Sequence, residues 1–519
     1  MFEGLKNWAA KIGHELAPEV VSKLAINSFA KASSSRPRPY SLWSDKKGKI
    51  CDYVSWASLT DRNFSGRHLR AAPESYNQLL PPDSPYKSLT DHGQITGLFK
   101  RTTQIPCPRS SLLFPFFAQW FTDSFLRVDG NDRRKNTSNH EIDLCQIYGL
   151  TEATARILRT KTTGKLRSQF IQGEEYPDNL YDDAGGLKPE YKGLPYVKNG
   201  KVDEIRNRFG DGEVRKKNYF ATGLERGNST VGYTAISTLF LREHNRLCDE
   251  LALRNPDWDD ERLFQTARNI NIVLLLKIVI EDYINHISPV KPPIFMVDNS
   301  FPEEEQWYRT NWIALEFDLL YRWHGLIPDK MTFGAQDYQP KEFMLNNSVL
   351  ISHGLGGIID GGSRQRAGRI SLHNTPGFLL GAEYAAIKMG RDYRLRSYNE
   401  YRTRFGLEEF DDFDDLTSNE DLEAELKDLY RDVDNLEFFV GLFAEDPDQD
   451  ALFGELMTTM VASDAFTQAL TNPLLAREVF DAGTFTKYGM KTIRNTNSLF
   501  DLVQRNVNDP AQFKVSFAF

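Results

Sequence analysis

The amino-acid sequence predicts a mainly α-helical protein with few and short strands. Long helices are expected at residues 110–127, 231–288 and 303–325. The 519 residues exceed the size at which a single core usually stops growing, but one large helical domain remains possible. With 40% hydrophobic and 26% charged residues, the chain can form a buried core without a membrane or a partner chain.

The charge and the cysteines exclude several classes of protein. A formal net charge of −9 argues against generic nucleic-acid binding, which needs a basic surface. Cys51, Cys107, Cys145 and Cys248 are far apart and form no CxxC pair, so neither a zinc ribbon nor a disulfide framework is supported. We expect reduced and mostly buried thiols.

The N-terminal region is predicted to be a separate element. Residues 2–16 carry apolar side chains, including Phe2 and Trp8, at helical spacing. This helix either packs on the protein body or lies in a lipid surface as a peripheral membrane contact. No secretory signal and no uninterrupted apolar span are found, so a cytoplasmic protein is expected. The predicted division is an N-terminal segment of helices and linker (residues 1–39) and one large domain (residues 40–519).

Three polar or glycine-rich segments carry no recognisable site. Residues 173–217 are rich in Gly, Asp and Lys and predict an irregular surface excursion. Residues 354–368 lack the GK[ST] end of a phosphate loop, so nucleotide binding is rejected. The acidic residues 408–450 lack the EF-hand glycine and ligand spacing, and indicate a solvated helical face with a turn.

The most informative segment is 312–329, which reads WIALEFDLLYRWHGLIPD. Tyr321 and His324 are three residues apart, so a helix would place them on one face as neighbours. A neutral imidazole is a good haem iron ligand, and a phenol beside it can be oxidised and hold an unpaired electron. Taken alone, such a pair is weak, because a histidine satisfied within the core is the more common case.

The segment closely resembles the proximal helix of the cyclooxygenases, whose pattern is E-F-x-x-L-Y-x-W-H-x-L-x-P-D. The matching residues are Glu316, Phe317, Leu320, Tyr321, Trp323, His324, Leu326, Pro328 and Asp329. Further blocks in the same order, such as LREHNRLC, NEYRTRFG and FGE, extend the similarity from about residue 40 to 475. The chain thus resembles the animal-type haem peroxidase and cyclooxygenase superfamily, and most closely its bacterial linoleate dioxygenases. The resemblance implies a large helical haem peroxidase fold, with His324 as axial ligand and Tyr321 as radical tyrosine.

The distal side departs from the family. Gln119 matches the distal glutamine, but Asp123 stands where the family has its distal histidine, the general base for cleavage of the peroxide O–O bond. Weak peroxidase turnover is therefore expected. Arg226 lies at the place of the distal arginine of mammalian peroxidases and is expected to hold Asp123, unless it is simply a surface arginine.

Other departures concern the cofactors. Ser229 and Thr230 replace the residues that tie haem covalently in mammalian peroxidases, so non-covalent haem b is expected. Ala386 replaces the asparagine that bonds their proximal histidine, which leaves the partner of His324 open. Ser124 and Cys145 replace calcium ligands, so no calcium is predicted.

The fatty-acid channel differs as well. Ala465 aligns with the serine that aspirin acetylates in cyclooxygenases, and Val290 aligns loosely with their channel tyrosine. Lys31 is the cation nearest to the place of the carboxylate-binding arginine, with Lys23 and Arg36 as rivals, although each can be simply a solvated charge. The other predicted channel residues are Val461, Phe466, Phe317 and Trp323, with core packing as the alternative for the last two.

These resemblances imply a fatty-acid dioxygenase. In this hypothesis Tyr321, once oxidised through the haem, takes a hydrogen from a polyunsaturated fatty acid, and O2 adds to give one hydroperoxide. The alternatives are a cyclooxygenase, a haem peroxidase that uses hydrogen peroxide and small reductants, and a haem-free binding scaffold. The changed channel weakens the first alternative, and Asp123 weakens the second. The oligomeric state stays open.

Overall fold

A computed structural model describes residues 17–31, 56, 60–72, 92–207, 215–288, 293–296, 301–448 and 451–519. Predictions for residues 2–16, Arg36, Cys51 and Val290 lie outside the described residues. The helices of the described chain are α1 (Pro18–Lys31), α2 (His92–Gly97), α3 (Leu113–Thr122), α4 (Cys145–Tyr148), α5 (Glu152–Leu158), α6 (Pro195–Lys198), α7 (Lys201–Asn207), α8 (Val231–Arg254), α9 (Asp260–Ile278), α10 (Leu315–Leu320), α11 (Pro340–Phe343), α12 (Asn347–Ser363), α13 (Leu380–Asp392), α14 (Tyr398–Arg404), α15 (Phe413–Leu416), α16 (Glu420–Tyr430), α17 (Phe438–Ala444), α18 (Glu455–Leu470), α19 (Ala482–Arg494) and α20 (Leu499–Asn506).

The strands are short, and in the described chain they form two-stranded antiparallel sheets. The pairs are β1 (Pro106–Ser111) with β6 (Arg366–Gly368), β2 (Ser168–Ile171) with β3 (Glu174–Pro177), and β4 (Met331–Phe333) with β5 (Gln336–Tyr338). The predicted mainly helical fold with few, short strands is therefore confirmed. Within the acidic segment 408–450, α15 and α16 carry exposed acidic side chains, as expected, whereas α17 is apolar and buried. Cys107, Cys145 and Cys248 are buried free thiols, also as expected.

α8 lies at the centre of the core. Thr230 caps it by accepting a hydrogen bond from the Tyr233 amide at 3.3 Å. From Val231 to Asn245 every residue is buried, which is typical of a helix surrounded by other elements. α8 packs against α3, α9 and α12. Gly232 permits the approach of α3, because a β-carbon there would lie 2.2 Å from Cγ of Phe116.

α9 begins at the Asp259 cap, whose carboxylate accepts from the Arg262 amide at 2.8 Å. It continues through a π-helical turn, Val279–Ile284, and a last turn, Asn285–Ile287. In the described part of the chain, only Asp260–Ile287 is long and apolar enough to cross a membrane, and 83% of its most apolar window is buried inside the protein. Burial of this extent is typical of core helices as well.

The prediction of an irregular surface excursion at residues 173–217 is wrong. β3, α6 and α7 lie in this segment, and the side chains of Tyr176, Tyr191 and Leu194 are buried in the core. The Tyr191 hydroxyl is satisfied there, because it donates to Oδ2 of Asp178 at 2.6 Å. Buried aromatic residues at irregular spacing leave no periodic signal in the sequence.

The prediction of one helix at residues 303–325 is also wrong. Only α10 is α-helical, Tyr321 leaves the helix with φ −98° and ψ 25°, and a short 3₁₀ turn begins at His324. The cause is tertiary contact. Arg101 donates to the carbonyls of Gly325 at 3.0 Å and Ile327 at 2.9 Å, and β6 approaches so closely that a β-carbon on Gly368 would lie 2.0 Å from the Gly325 oxygen.

Candidate active site

A deep cleft lies between α3, the start of α8 and the segment that follows α10. It contains about 1190 Å³ of empty space, part of it open to solvent. His324 and Tyr321 lie in one wall, here called the proximal side, and Gln119, Asp123 and Arg226 lie in the other, the distal side. The structure thus brings together five side chains that the sequence predicted for one site. Further lining residues include Phe116, Ser229, Thr230, Trp323, Leu326, Met331, Phe343 and Met344.

On the proximal side, His324 is oriented by a carboxylate. Its Nδ1 lies 3.0 Å from Oε1 of Glu383 on α13, and Glu383 is completely buried. The same oxygen accepts a hydrogen bond from the Thr375 hydroxyl at 2.8 Å. A ring nitrogen that donates to a carboxylate leaves the opposite nitrogen, Nε2, free to bind a metal. The arrangement therefore has the chemistry of an axial ligand site.

Glu383 was missed by the sequence reasoning, which followed the family position to Ala386. The two residues are three apart on α13, so they share a helix face. The acidic residue one turn before an expected partner was the available signal, but its burial could not be seen in the sequence.

Tyr321 is held in an aromatic cluster. Its ring centroid lies 4.5 Å from that of Trp323 and 5.1 Å from that of Phe317. Burial raises the pKa of Tyr321 above its usual value, the Tyr283 hydroxyl opposes that shift, and the charge of Asp464 adds to it. Tyr321 therefore remains a protonated phenol. Because α10 ends at Leu320, Tyr321 and His324 are not neighbours on one helix face as expected, but they line the same cleft.

Tyr283 was not singled out in the sequence. It lies in the π-helical turn after α9, a feature that often marks functional sites, and its hydroxyl faces that of Tyr321. Burial raises the pKa of Tyr283 well above its usual value, so it too remains a neutral phenol.

On the distal side, Asp123 follows the last turn of α3. Its Oδ1 accepts from Nη1 of Arg226 at 3.0 Å, which confirms the expected contact. The Asp123 side chain is 6% exposed, whereas that of Arg226 is 60% exposed, because Arg226 lines the open part of the cleft. Gln119 lies one turn earlier and accepts from the Thr230 hydroxyl at 3.2 Å. The distal wall is thus a carboxylate–guanidinium pair beside an amide.

A buried hydrogen-bonded pair of a histidine and an aspartate lies behind Tyr321. Nε2 of His68 is 3.1 Å from Oδ2 of Asp464 on α18, and both side chains are buried. Asp464 directly precedes Ala465, and its charge acts on Tyr321. The two partners are 396 positions apart in the sequence, so no local pattern could predict this contact.

The predicted channel residues are placed around α18. Val461, Ala465 and Phe466 are buried on this helix, which packs against α10 and α1. The Phe466 ring stacks on Phe29 of α1 at 6.0 Å. Lys31 ends α1 and pairs with Glu305 at 3.3 Å, so a carboxylate of the protein already contacts it.

A haem group fits this cleft by the chemistry of its walls. The imidazole of His324 has one nitrogen fixed by Glu383, and its other nitrogen lacks a hydrogen-bond partner among the described residues. Apolar side chains suited to a macrocycle line the cleft, and its distal wall carries the Asp123 carboxylate and the Arg226 guanidinium. Fold and site therefore fit a helical haem protein in which His324 would hold the iron, with Tyr321 in the same cleft.

The chain belongs to the animal haem peroxidase family, whose pattern matches residues 81–517. Prostaglandin G/H synthase 1 of Rattus norvegicus is 36% identical over 464 residues, which cover 88% of this chain and 73% of that protein. The fatty acid alpha-dioxygenase of Oryza sativa, crystallised with palmitic acid, has a TM-score of 0.74 and 17% identity over 100% of this chain and 96% of that one. Its Arabidopsis thaliana counterpart has a TM-score of 0.68 and 18% identity over 88% and 80%. The predicted helical haem peroxidase fold is confirmed.

Proposed function

We propose that the protein is a haem-dependent dioxygenase that converts a polyunsaturated fatty acid and O2 into a fatty-acid hydroperoxide. The observation that carries the proposal is Tyr321, a half-buried side chain with a buried hydroxyl that lies in the same cleft as His324. No carboxylate or carbonyl oxygen of the described residues accepts a hydrogen bond from its hydroxyl. The O–H hydrogen of Tyr321 is therefore not held by a carboxylate or carbonyl of these residues, which leaves it for the proposed hydrogen transfer.

Bound haem would supply the oxidising equivalent that removes one electron and one proton from Tyr321. The tyrosyl radical then takes a hydrogen atom from a methylene group between two double bonds, which breaks the C–H bond and restores the Tyr321 O–H. O2 adds to the carbon radical, and the resulting peroxyl radical takes the hydrogen back from Tyr321. The net reaction joins one fatty acid and one O2, and it regenerates the radical for the next cycle.

The His68–Asp464 pair favours attack far from the carboxyl end of the substrate. Oxygenation next to the carboxyl group requires the substrate carboxylate close to Tyr321. The Asp464 charge already acts on Tyr321 and repels a second negative charge in the low-dielectric interior. We therefore infer a mid-chain position, with the acyl chain running along Phe317, Trp323 and Ala465.

The remaining channel contacts are proposed from the positions that the sequence predicted for the channel. Val461 and Phe466 line the acyl chain further along α18. Lys31, at the end of α1, binds the substrate carboxylate in exchange for Glu305. Val290 stays a prediction from the sequence alone.

The cofactor is proposed to be non-covalent haem b without calcium. Ser229 and Thr230 carry hydroxyls, and Thr230 is occupied with Gln119 and the α8 cap. At the place of the calcium ligands, the Ser124 hydroxyl donates to the Phe121 carbonyl at 2.7 Å, and a Cys145 thiol replaces an oxygen ligand. Neither position then offers the oxygen ligands that calcium prefers.

Peripheral membrane contact is proposed for the face of α1. Val20 and Leu24 are exposed one turn apart on this helix, and Phe295 is exposed beside it, with its amide 3.1 Å from the Ser22 hydroxyl. Exposed apolar side chains on one helix face are suited to a lipid surface. A cytoplasmic enzyme would reach its substrate there.

Cyclooxygenase activity is the second candidate, and the 36% identity to a prostaglandin G/H synthase favours it. The two candidates differ in stoichiometry. A simple dioxygenase consumes one O2 per fatty acid, whereas formation of an endoperoxide that also carries a hydroperoxide consumes two. Oxygen uptake measured against loss of a fatty acid with at least three double bonds separates them, because linoleate has too few double bonds to form the endoperoxide.

The test is oxygen uptake by haem-loaded protein with linoleate, followed by chiral analysis of the product. We expect one O2 per linoleate and a single hydroperoxide. Tyr321→Phe should abolish uptake and retain the Soret band, whereas Tyr176→Phe, a buried control on β3, should retain both. Uptake that persists in Tyr321→Phe would refute the proposed role.

A further inference from the structure

Glu383 is a buried carboxylate that lacks a cationic partner among the described residues. It is fully buried on α13, and its Oε1 accepts from His324 at 3.0 Å and Thr375 at 2.8 Å. Its other oxygen, Oε2, has no hydrogen-bond partner in the part of the chain that the structure describes. Among the described residues, no lysine or arginine forms an ion pair with it. A buried carboxylate with one bare oxygen is costly unless a positive charge lies nearby.

Backbone hydrogen bonds hold the residues around the Glu383–His324 contact in place. The Thr375 amide donates to the Phe99 carbonyl at 2.8 Å, and the Arg101 amide donates to the Thr375 carbonyl at 2.9 Å. The Arg101 side chain in turn holds the Gly325 and Ile327 carbonyls just after His324. One network therefore fixes both the carboxylate and the imidazole, so their alignment is part of the fold.

An iron bound by Nε2 of His324 would supply the missing positive charge. A carboxylate that accepts from the Nδ1–H of a ligating histidine orients the ring and makes its other nitrogen a stronger electron donor. For haem iron, a stronger axial donor favours the ferric over the ferrous state and so lowers the reduction potential. Neither a backbone carbonyl nor an amide would have this effect to the same degree.

We propose that Glu383 is the positioning residue that makes His324 a strongly donating axial ligand. This inference rests on the haem binding of the proposed function and explains a feature of this chain. With Asp123 in place of a distal histidine, electron donation from the proximal side compensates for weaker acid–base help on the distal side. Glu383 acts through His324 and does not itself contact the substrate.

The experiment compares purified, haem-loaded wild type, Glu383→Gln and Glu383→Asp without fatty acid. The readouts are the Fe(III)/Fe(II) midpoint potential and the iron–histidine stretching frequency of the ferrous state. Glu383→Gln keeps an acceptor but removes the charge, so the potential should rise and the stretching frequency should fall. Glu383→Asp keeps the charge with a shorter side chain. Its midpoint potential and its stretching frequency should therefore lie between those of wild type and Glu383→Gln.

Unchanged values in Glu383→Gln, or equal shifts in both variants, would overturn the proposal, because the second result indicates loss of packing and not of charge. If Glu383→Gln does not fold, a measurement on the wild type alone still tests the proposal. Its stretching frequency should exceed that of a globin measured in parallel, and an equal or lower value would contradict the proposal. Both readouts are independent of oxygen uptake. A protein with the expected potentials and no dioxygenase activity would refute the proposed function and leave the proposed role of Glu383 standing.

Discussion

The proximal and distal sides of the cleft differ in how firmly their side chains are held. On the proximal side, His324 is bonded to a fully buried carboxylate, Glu383, which is itself fixed by Thr375. On the distal side, Asp123 is held by Arg226, whose side chain is 60% exposed in the cleft. A site that depends on fast peroxide turnover needs a well-placed base on the distal side. In this cleft, the polar contact of His324 is more deeply buried than that of Asp123.

The largest expected effect is on the proximal side. His324→Ala removes the side chain that would bind iron, so the purified protein should lose nearly all of its Soret absorbance. His373→Ala is the matched control, because His373 contacts Glu425 at the surface and should leave the spectrum unchanged. If His324→Ala kept an unaltered spectrum, the axial ligand would have to be another residue.

A substitution on the distal side should increase an activity, whereas His324→Ala on the proximal side should cause a loss. Asp123→His places an imidazole, whose ordinary pKa is about 6.5, where the family has its general base. Guaiacol oxidation with hydrogen peroxide should rise by about 10- to 100-fold, which lies at or below the usual range for a well-placed base. Asp123→Asn cannot accept a proton and should give no gain. A gain equal in both variants would show that relief of the Arg226 contact, and not proton transfer, limits the rate.

The smallest expected effect concerns the charge behind Tyr321. Asp464→Asn removes the repulsion of a substrate carboxylate near Tyr321, so a small fraction of oxygenation should move to the carbon next to the carboxyl group. The product is measured as chain-shortened aldehyde and CO2 from linoleate labelled at the carboxyl carbon. Thr467→Val, one turn away on α18, leaves the charge in place and should give the wild-type pattern. If wild type itself released labelled CO2 as its main product, the inferred mid-chain position would be wrong.

The sequence revealed the residues that line both sides of the cleft, but not the backbone around them. Tyr321, His324, Gln119, Asp123 and Arg226 were found by motif and order, and the structure gathers them in one cleft. The local backbone around them was not predicted. The helical spacing of 303–325 gave way to contacts with Arg101 and β6, which come from more than 40 positions away along the chain.

The supporting residues could not be derived from the sequence at all. Glu383 meets His324 across 59 positions, and His68 meets Asp464 across 396. Burial and pairing of this kind depend on the assembled tertiary structure, and a single polar residue in a helix carries no sign of them. The identity of the reacting groups was thus predictable, whereas the groups that orient and tune them were not.

The proposed function requires that an oxidising equivalent from the haem reach Tyr321. The most direct test is electron paramagnetic resonance of haem-loaded protein, frozen within seconds of adding a fatty-acid hydroperoxide. Wild type should show a tyrosyl radical that is absent in Tyr321→Phe, in parallel with the loss of oxygen uptake. An identical radical signal in Tyr321→Phe, together with undiminished uptake, would contradict the account.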